Sequence, residues 1–259
     1  MEKWSGKTAV VTGASAGIGD AIVRDFVKYG INVVALARRL ERLETLKEQL
    51  KDEKGKVIPV KCDVSDKASI DAAFEEIEKL VGTFHILVNN AGIAIQKSML
   101  GDEDSIEQTI INTINTNLLG LVLATRKSYK IMRQNGEHGI IINIGSVAGH
   151  SSMYTPYFTN VYPGTKHAVR AVSDSMRHEL IKFNDLKIRV CEISPGAVET
   201  EIFEAGGWNA PNTEDAPLDS SVLPMLKSVD VSKTVLFMLE LPYDVNVTEL
   251  IVKPVGEKF

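Results

Sequence analysis

Tyr162 and Lys166 have the residue types and spacing for acid–base chemistry, with Pro163, Gly164 and Thr165 between them. Four apart on an α-helix, they share a face with Cβ atoms roughly 6 Å apart, so the ammonium can favour the phenolate form of the tyrosine. Free tyrosine titrates near pH 10, and acid–base work at neutral pH asks for a depression of ~3 units, about 4 kcal/mol of differential stabilisation. One lysine seldom supplies that much, and a second cation beside the pair would help. Taken alone, the spacing reads equally as two solvated residues on a surface helix, so the elements that position it must decide.

The first of these elements is a strand, Lys7 to Thr12, followed at once by Thr12-Gly13-Ala14-Ser15-Ala16-Gly17-Ile18-Gly19. The chain then enters a helix whose apolar positions Ile18, Ile22 and Phe26 recur every four residues, ending near Gly30. Glycines in such a turn permit positive φ and close approach of the backbone to a pyrophosphate, whose charge meets the unpaired N–H groups of the helix N-terminus. A tight turn with no ligand is the plainer alternative. If a dinucleotide does bind, its oxidised nicotinamide ring would be the second cation that Tyr162 needs.

A second strand, Ile31 to Ala37, leads to Arg38-Arg39 with no acid before Glu41, and then to a helix carrying Leu40, Leu43, Leu46 and Leu50. An acid at that strand end would hydrogen-bond the ribose 2′-hydroxyl of NAD; guanidinium groups suit a 2′-phosphate, so the residues read as NADP rather than NAD. Two solvated arginines opening a helix are the alternative. A third strand, Val57 to Cys62, ends in Asp63-Val64, where Asp63 either meets an adenine or caps the chain with Ser65 and Asp66. The helix after it shows Ile70, Phe74, Ile77 and Leu80. A fourth strand, Phe84 to Val88, runs into Asn89-Asn90-Ala91-Gly92, where a parallel sheet reverses its strand order.

From Asp104 to Arg133 the chain reads as mostly helical, but Asn112, Asn115 and Asn117 weaken its interior and predict a local distortion. A fifth strand, Ile140 to Ile144, emerges at Gly145-Ser146. Past the Tyr162 helix, Ile188 to Ile193 forms a strand ending at Ser194-Pro195-Gly196. Periodicity then fails from Glu201 to about Pro217 around Trp208, predicting a substrate lid at about 201–227 with a short helix near Ser221 to Leu226. A helix near Asp230 and a strand from Asn246 to Val252 complete the chain.

Length and composition, 259 residues with 44% hydrophobic and 24% charged, fit one α/β domain over the whole chain. A net charge of −5 offers no basic field for nucleic acid, so small-molecule chemistry is expected. Cys62 and Cys191 lie in strand-like apolar runs and suggest no disulfide framework, which fits a reducing, cytoplasmic setting. No signal-peptide core and no membrane-spanning run is visible. Histidines 85, 138, 150, 167 and 178 have no ligand-like spacing, so no metal is expected.

In order, Thr12-Gly13-x-x-x-Gly17-x-Gly19, Asn89-Asn90-Ala91-Gly92, Asn117-x-x-Gly120, Ser146, Tyr162-x-x-x-Lys166 and Pro195-Gly196 make the chain resemble a short-chain dehydrogenase/reductase from end to end. The resemblance implies a Rossmann-type, doubly wound α/β fold: seven mainly parallel strands with helices on both faces. It implies hydride transfer between a nicotinamide and an alcohol or carbonyl. Tyr162 would be the acid–base residue, Lys166 would lower its pKa and hold the ribose, Ser146 would hydrogen-bond the reacting oxygen, and Asn117 would anchor a water in the proton path. NADP(H) is then expected against Gly13, Ser15, Gly17, Ile18 and Gly19, Arg38 and Arg39, Asp63 and Val64, and Asn90, Ala91 and Gly92. Tyr162 and Lys166 border its other half with Pro195, Gly196, Val198 and Thr200. A homodimer or homotetramer through two long helices is implied as well.

Two features depart from that pattern. Ser146 and Tyr162 are sixteen residues apart, longer than the family's usual spacing, which predicts an enlarged loop at 150–160 over the substrate mouth. Pro163 disfavours the α conformation for Tyr162 unless that residue opens its helix. Ile93-Ala94, the long loop and Val198-Glu199-Thr200 resemble the branch of farnesol dehydrogenases and steroid-handling reductases, implying an apolar substrate with isoprenoid alcohols ahead of steroids. Alternatives are a steroid or general carbonyl reductase of the same fold, or a sensor that binds NADP(H) without turnover.

Overall fold

In the computed structural model, which describes residues 1–151, 159–208 and 224–257, the apolar runs become strands covered on both sides. They are β1 (Thr8–Thr12), β2 (Asn32–Ala37), β3 (Val57–Lys61), β4 (Ile86–Asn89), β5 (Gly139–Ile144), β6 (Ile188–Pro195), the two-residue β7 (Val198–Glu199) and β8 (Leu226–Lys227), and β9 (Glu249–Val252). The main sheet has the order β3-β2-β1-β4-β5-β6-β9, every pair parallel. Alternation sorts the side chains: Ala9 and Val11, Ile86 and Val88, and Ile140, Ile142 and Ile144 face one core, while Val10, Leu87 and Ile141 face the other.

Helices α1 (Gly17–Lys28), α2 (Leu40–Gln49), α3 (Lys67–Val81), α4 (Ser105–Ile114), α5 (Gly120–Asn135), α6 (Tyr162–Lys182), α7 (Glu201–Ala205) and α8 (Ser228–Glu240) follow in chain order. Ile22 and Phe26 of α1, Leu43 of α2 and Val235 of α8 fill the first core; Phe74 of α3, Ile131 of α5 and Leu180 of α6 fill the second. The strand order reverses between β1 and β4. The loops that leave these two strands therefore splay apart, and the crevice at their C-terminal ends is where such a sheet binds ligands.

The asparagine-rich stretch forms a π-helical segment, Asn115–Leu119, joining α4 to α5. Such a bulge re-aims the side chains on it, and Asn117 is turned inward and buried. Gly120 follows because a Cβ there would stand 2.2 Å from the Val64 carbonyl.

Several boundaries differ from expectation. Residues 201–205 are helical where periodicity fails, because five residues are too few to show a period; Thr200 opens the helix by accepting from the Ile202 N–H at 3.4 Å. The helix expected near Ser221 to Leu226 is not seen in its described part: Leu226 pairs with Val198 in a parallel two-stranded sheet. Residues 221–223 lie outside the described residues, as do 152–158 of the enlarged loop. The last strand starts at Glu249, not Asn246, whose side chain donates to the Val190 carbonyl at 3.2 Å and so ends the loop before it. Leu80 is 53% exposed and belongs to no core. Among the described residues no helix is long and apolar enough to cross a membrane.

Candidate active site

A cavity of about 490 Å³ opens along the C-terminal ends of the central strands. At one end stands the glycine turn. Gly13 has φ +66°, and a Cβ there would stand 2.8 Å from the Ala91 Cα, so the turn closes onto the β4 loop only with glycine. Asn90 fastens the two loops: its Nδ2 donates to the carbonyls of Thr12 (3.0 Å) and Gly13 (3.2 Å), while Thr12 Oγ1 accepts from the Asn90 and Ala91 N–H groups. The first turn of α1 has no side-chain cap at Ala16, which leaves backbone donors facing the cavity, where a pyrophosphate would fit. Gly13, Ser15, Gly17 and Ile18 line this end; Gly19 does not. Gly19 is instead a packing residue, since a Cβ on it would stand 2.3 Å from the Gly13 carbonyl oxygen.

Next along the cavity are Arg38 and Arg39. Arg38 is exposed and, among the described residues, makes no hydrogen bond or ion pair, so its guanidinium is available. Arg39 is already occupied: it meets Glu201 at 3.1 Å and donates to Ser15 Oγ at 3.3 Å. Arg42, which has no place in the sequence reading, meets the same Glu201 at 2.7 Å. Asp63 and Val64 line the cavity beyond the arginines, and Asp63 accepts from the Ser65 N–H and hydroxyl at 2.9 and 2.7 Å. Asp66, not Asp63, caps α3.

The chemical groups converge mid-cavity. Tyr162 is the first residue of α6 with Pro163 directly after it, so the proline constrains only the helix entrance, where its missing N–H has no intrahelical partner to lose. Ser146 accepts from the Ala148 N–H at 3.1 Å and acts to lower the pKa of the Tyr162 phenol. Lys166 is 5% exposed and donates from Nζ to the Ile144 carbonyl at 2.8 Å, with Nζ 5.7 Å from the centre of the Tyr162 ring.

These distances reverse one expectation. Burial raises the Tyr162 pKa above its ordinary 10, and the Ser146 side chain only opposes that rise. The ammonium that was expected to lower it is turned toward Ile144. Burial also lowers Lys166 to about 8, with the buried carboxylate of Glu192 acting against the fall. In the protein by itself the phenol is thus held protonated.

Asn117 does not line the cavity. Its Oδ1 accepts from the Ile93 N–H at 2.8 Å, and its Nδ2 donates to the Ile93 carbonyl at 2.9 Å and to Thr165 Oγ1 at 3.2 Å. The side chain therefore splices the β4 loop to α6 and holds it in register with Tyr162. Gly92 fits between Asn117 and Lys166, as a Cβ there would meet Oδ1 at 3.5 Å and Nζ at 3.8 Å.

The far end is apolar, with Ile93, Ala94, Val147, Phe203 and Trp208 on its walls. Trp208 donates from Nε1 to the Ala94 carbonyl at 2.8 Å and packs edge-on to Phe203 at 5.7 Å, tying the segment after α7 to the β4 loop. Pro195, Gly196, Val198 and Thr200 border this end from β6 onward. Glu257, from the C-terminal segment, also lines it; its Oε2 is buried without a hydrogen-bond partner among the described residues, and burial raises its pKa.

Sequence reasoning therefore missed Arg42, Glu201, Glu192 and Glu257. Only Glu192 carries a visible signal, an acid inside the apolar run Val190 to Ile193. It is 1% exposed, accepts from Ser194 Oγ at 3.0 Å, and lies against Gly145, where a Cβ would stand 2.3 Å from its Oε1.

With this geometry in place, comparison with known proteins is direct: the family model described as short chain dehydrogenase matches residues 7–208. The chain belongs to the short-chain dehydrogenase family. As a short-chain dehydrogenase it is 43% identical over 263 residues to the farnesol dehydrogenase of Aedes aegypti, with all of both chains covered. It is 34% identical over 257 residues to dehydrogenase/reductase SDR family member 11 of Gallus gallus, covering 98% of each. Among solved structures, the alcohol dehydrogenase of the archaeon Thermococcus sibiricus complexed with 5-hydroxy-NADP matches with TM-score 0.80 and 28% identity over 98% of both chains. All three are similar along their whole length, so the short-chain dehydrogenase likeness extends past the glycine turn into the segments around α7 and β9.

Proposed function

We propose that this protein is an NADP-dependent oxidoreductase that transfers a hydride between the nicotinamide and an apolar alcohol or carbonyl, with an isoprenoid alcohol such as farnesol as the favoured substrate. The observation that carries it is one continuous cavity with arginines at one end, Ser146 and Tyr162 beside the buried Lys166 in the middle, and apolar walls at the other.

The residues present fit the dinucleotide. The uncapped first turn of α1 and the glycine turn would supply donors for a pyrophosphate, Arg38, without a partner among the described residues, would meet a 2′-phosphate, and Lys166, which lines the cavity, would hold ribose hydroxyls. When bound, NADP(H) supplies or accepts the hydride. The protein supplies the rest. Ser146 donates a hydrogen bond to the reacting oxygen, where negative charge develops. Tyr162 hands its phenolic proton to that oxygen in carbonyl reduction and takes the hydroxyl proton in alcohol oxidation. The raised pKa of the phenol keeps it in the form that reduction needs. Asn117 positions the loop and helix that carry these groups rather than touching the substrate through its side chain.

The preference for an apolar substrate rests on two supports. Ile93, Ala94, Phe203 and Trp208 offer no charge, and a carboxylate-bearing substrate would need a cation there; among the described lining residues the cations are Arg38, Arg39 and Lys166, all committed elsewhere. The relative at 43% identity is a farnesol dehydrogenase. A dimer or tetramer through the long helices α5 and α6 is part of this reading, and sedimentation of the purified protein checks it.

The test is a screen of isoprenoid and steroid alcohols and their carbonyl partners with both cofactors. Farnesol turned over with NADP⁺ at a higher kcat/KM than any steroid supports the assignment. Steroid turnover alone would move it to the reductase alternative, and tight NADPH binding with no turnover across the panel would leave a sensor. Arg38→Ala should weaken NADPH binding by roughly tenfold, about 1.4 kcal/mol, and leave NADH binding unchanged; equal losses would remove the 2′-phosphate role.

A further inference from the structure

Glu201 holds two arginines that belong to the other side of the cavity. Its Oε2 is 3.1 Å from Arg39 Nη1, and its Oε1 and Oε2 are 2.7 and 3.0 Å from Arg42 Nη1. Arg39 is turned at the same time toward Ser15 Oγ of the glycine turn. Arg39 and Glu201 both line the cavity, and Arg42 stands behind them, one helical turn along α2. Glu201 comes from α7, whose cap Thr200 lies close enough to Gly17 that a Cβ there would meet the threonine methyl at 3.0 Å. The carboxylate thus reaches across the mouth of the cofactor end from the element that also carries Phe203.

A carboxylate and a phosphate monoester present oxygens to the same guanidinium edges, so both cannot hold the same N–H groups. Arg38, Arg39 and Arg42 bring three positive charges and Glu201 one negative, which leaves an excess of two. A 2′-phosphate carries about −1.5 to −2 at pH 7 and matches that excess. A 2′-hydroxyl neither matches the charge nor displaces a carboxylate. The three side chains are 42–46% exposed, so each contact is weakened by solvent and exchange between partners is inexpensive.

Resting on the NADP reading above, we propose that Glu201 is the resident counter-ion of the 2′-phosphate pocket and Arg42 its third cation. The phosphate takes Arg39 and Arg42 from Glu201 on binding, and this exchange sets how strongly the phosphorylated cofactor is preferred. Glu201 acts against NADP(H) and is indifferent to NAD(H); Arg42 acts for NADP(H) alone.

Direct binding reads this without turnover. NADPH and NADH, together with the fragments adenosine 2′,5′-bisphosphate and adenosine 5′-monophosphate, are titrated calorimetrically into wild type, Glu201→Gln and Arg42→Ala at low and high salt. Glu201→Gln should tighten NADPH and the bisphosphate about threefold and leave the other two unchanged, an effect of the size that exposed ion pairs carry and one that shrinks as salt rises. Arg42→Ala should weaken the same two ligands by at least as much. Weaker NADPH binding by Glu201→Gln, meaning that the carboxylate orders the arginines for the phosphate, would overturn the proposal, as would an unchanged NADPH-to-NADH ratio in both variants. Wild type that binds NADPH and NADH equally would remove the NADP reading and this inference with it, whereas a clear wild-type preference that neither variant alters would remove only this inference.

Discussion

The two ends of the cavity are built from different materials. The cofactor end rests on main chain: a glycine turn, an uncapped helix start and an asparagine that clasps two loops, with arginines as its charged donors. The apolar end is almost all side chain, with Trp208 and Phe203 held over the β4 loop by hydrogen bonds that include Trp208 Nε1 to the Ala94 carbonyl and the Gln96 N–H to the Gly206 carbonyl. Main-chain recognition suits a cofactor that never changes, because its tolerance is set by backbone conformation. Side-chain walls can be exchanged without disturbing that conformation, so selectivity for the substrate belongs there. If this contrast is right, changes at one end should leave the other end's binding intact.

The largest effect is expected from Gly13→Val. A side chain at φ +66°, with the Ala91 Cα in its way, should open the clasp between the turn and the β4 loop; dinucleotide affinity should fall by on the order of 100-fold, about 2.7 kcal/mol. Calorimetric titration with NADPH measures it, and near-normal affinity would show that the turn does not hold the cofactor. Ser146→Ala removes the donor to the reacting oxygen and should lower kcat by on the order of 100-fold with NADPH affinity unchanged. A change confined to KM would assign the serine to substrate binding alone. Trp208→Ala should raise KM for the apolar substrate by roughly tenfold while NADPH affinity stays the same; a matching loss of NADPH affinity would erase the division between the two ends.

The smallest effect concerns charge behind the site. Lys166 is lowered to about 8 by burial, with Glu192 opposing. Glu192→Gln removes that opposition, so the lysine should titrate at still lower pH. The sign follows from the ammonium being the charged form: losing a nearby anion disfavours it. A lysine pKa lowered on folding also costs stability at pH below its unfolded value; the cost grows as pH falls toward the folded value and levels off below it. The variant should therefore go on losing stability as pH falls from about 8 toward about 6, where the wild-type cost has levelled off, read as the melting temperature across the range. An identical pH dependence would disconnect Glu192 from Lys166.

The same contrast explains what the amino-acid sequence revealed. Gly13, Gly17 and the strand before them announce themselves locally, because strand, turn and helix must be consecutive to make such a turn. The asparagines at 112, 115 and 117 pointed to a distortion, and the π-helical segment is that distortion. Contacts that depend on distant chain segments left no local trace: Arg42 and Glu201 are 159 positions apart. α7 and the β7–β8 pair are too short to show a period. The Tyr162 shift in the protein by itself belongs with these contacts. A four-residue spacing reports that an ammonium is near, but not that burial outweighs it or that Ile144 draws it away.

The central claim is that Tyr162 moves the proton at a site whose cofactor end is independent of it. Tyr162→Phe tests this most directly, with NADPH affinity by calorimetry and single-turnover reduction of an isoprenoid carbonyl measured on the same preparation. The account predicts unchanged NADPH affinity and a rate lower by roughly 10²–10⁴-fold, the range for removal of a general acid. A rate within a few-fold of wild type, with the cofactor still bound, would contradict it.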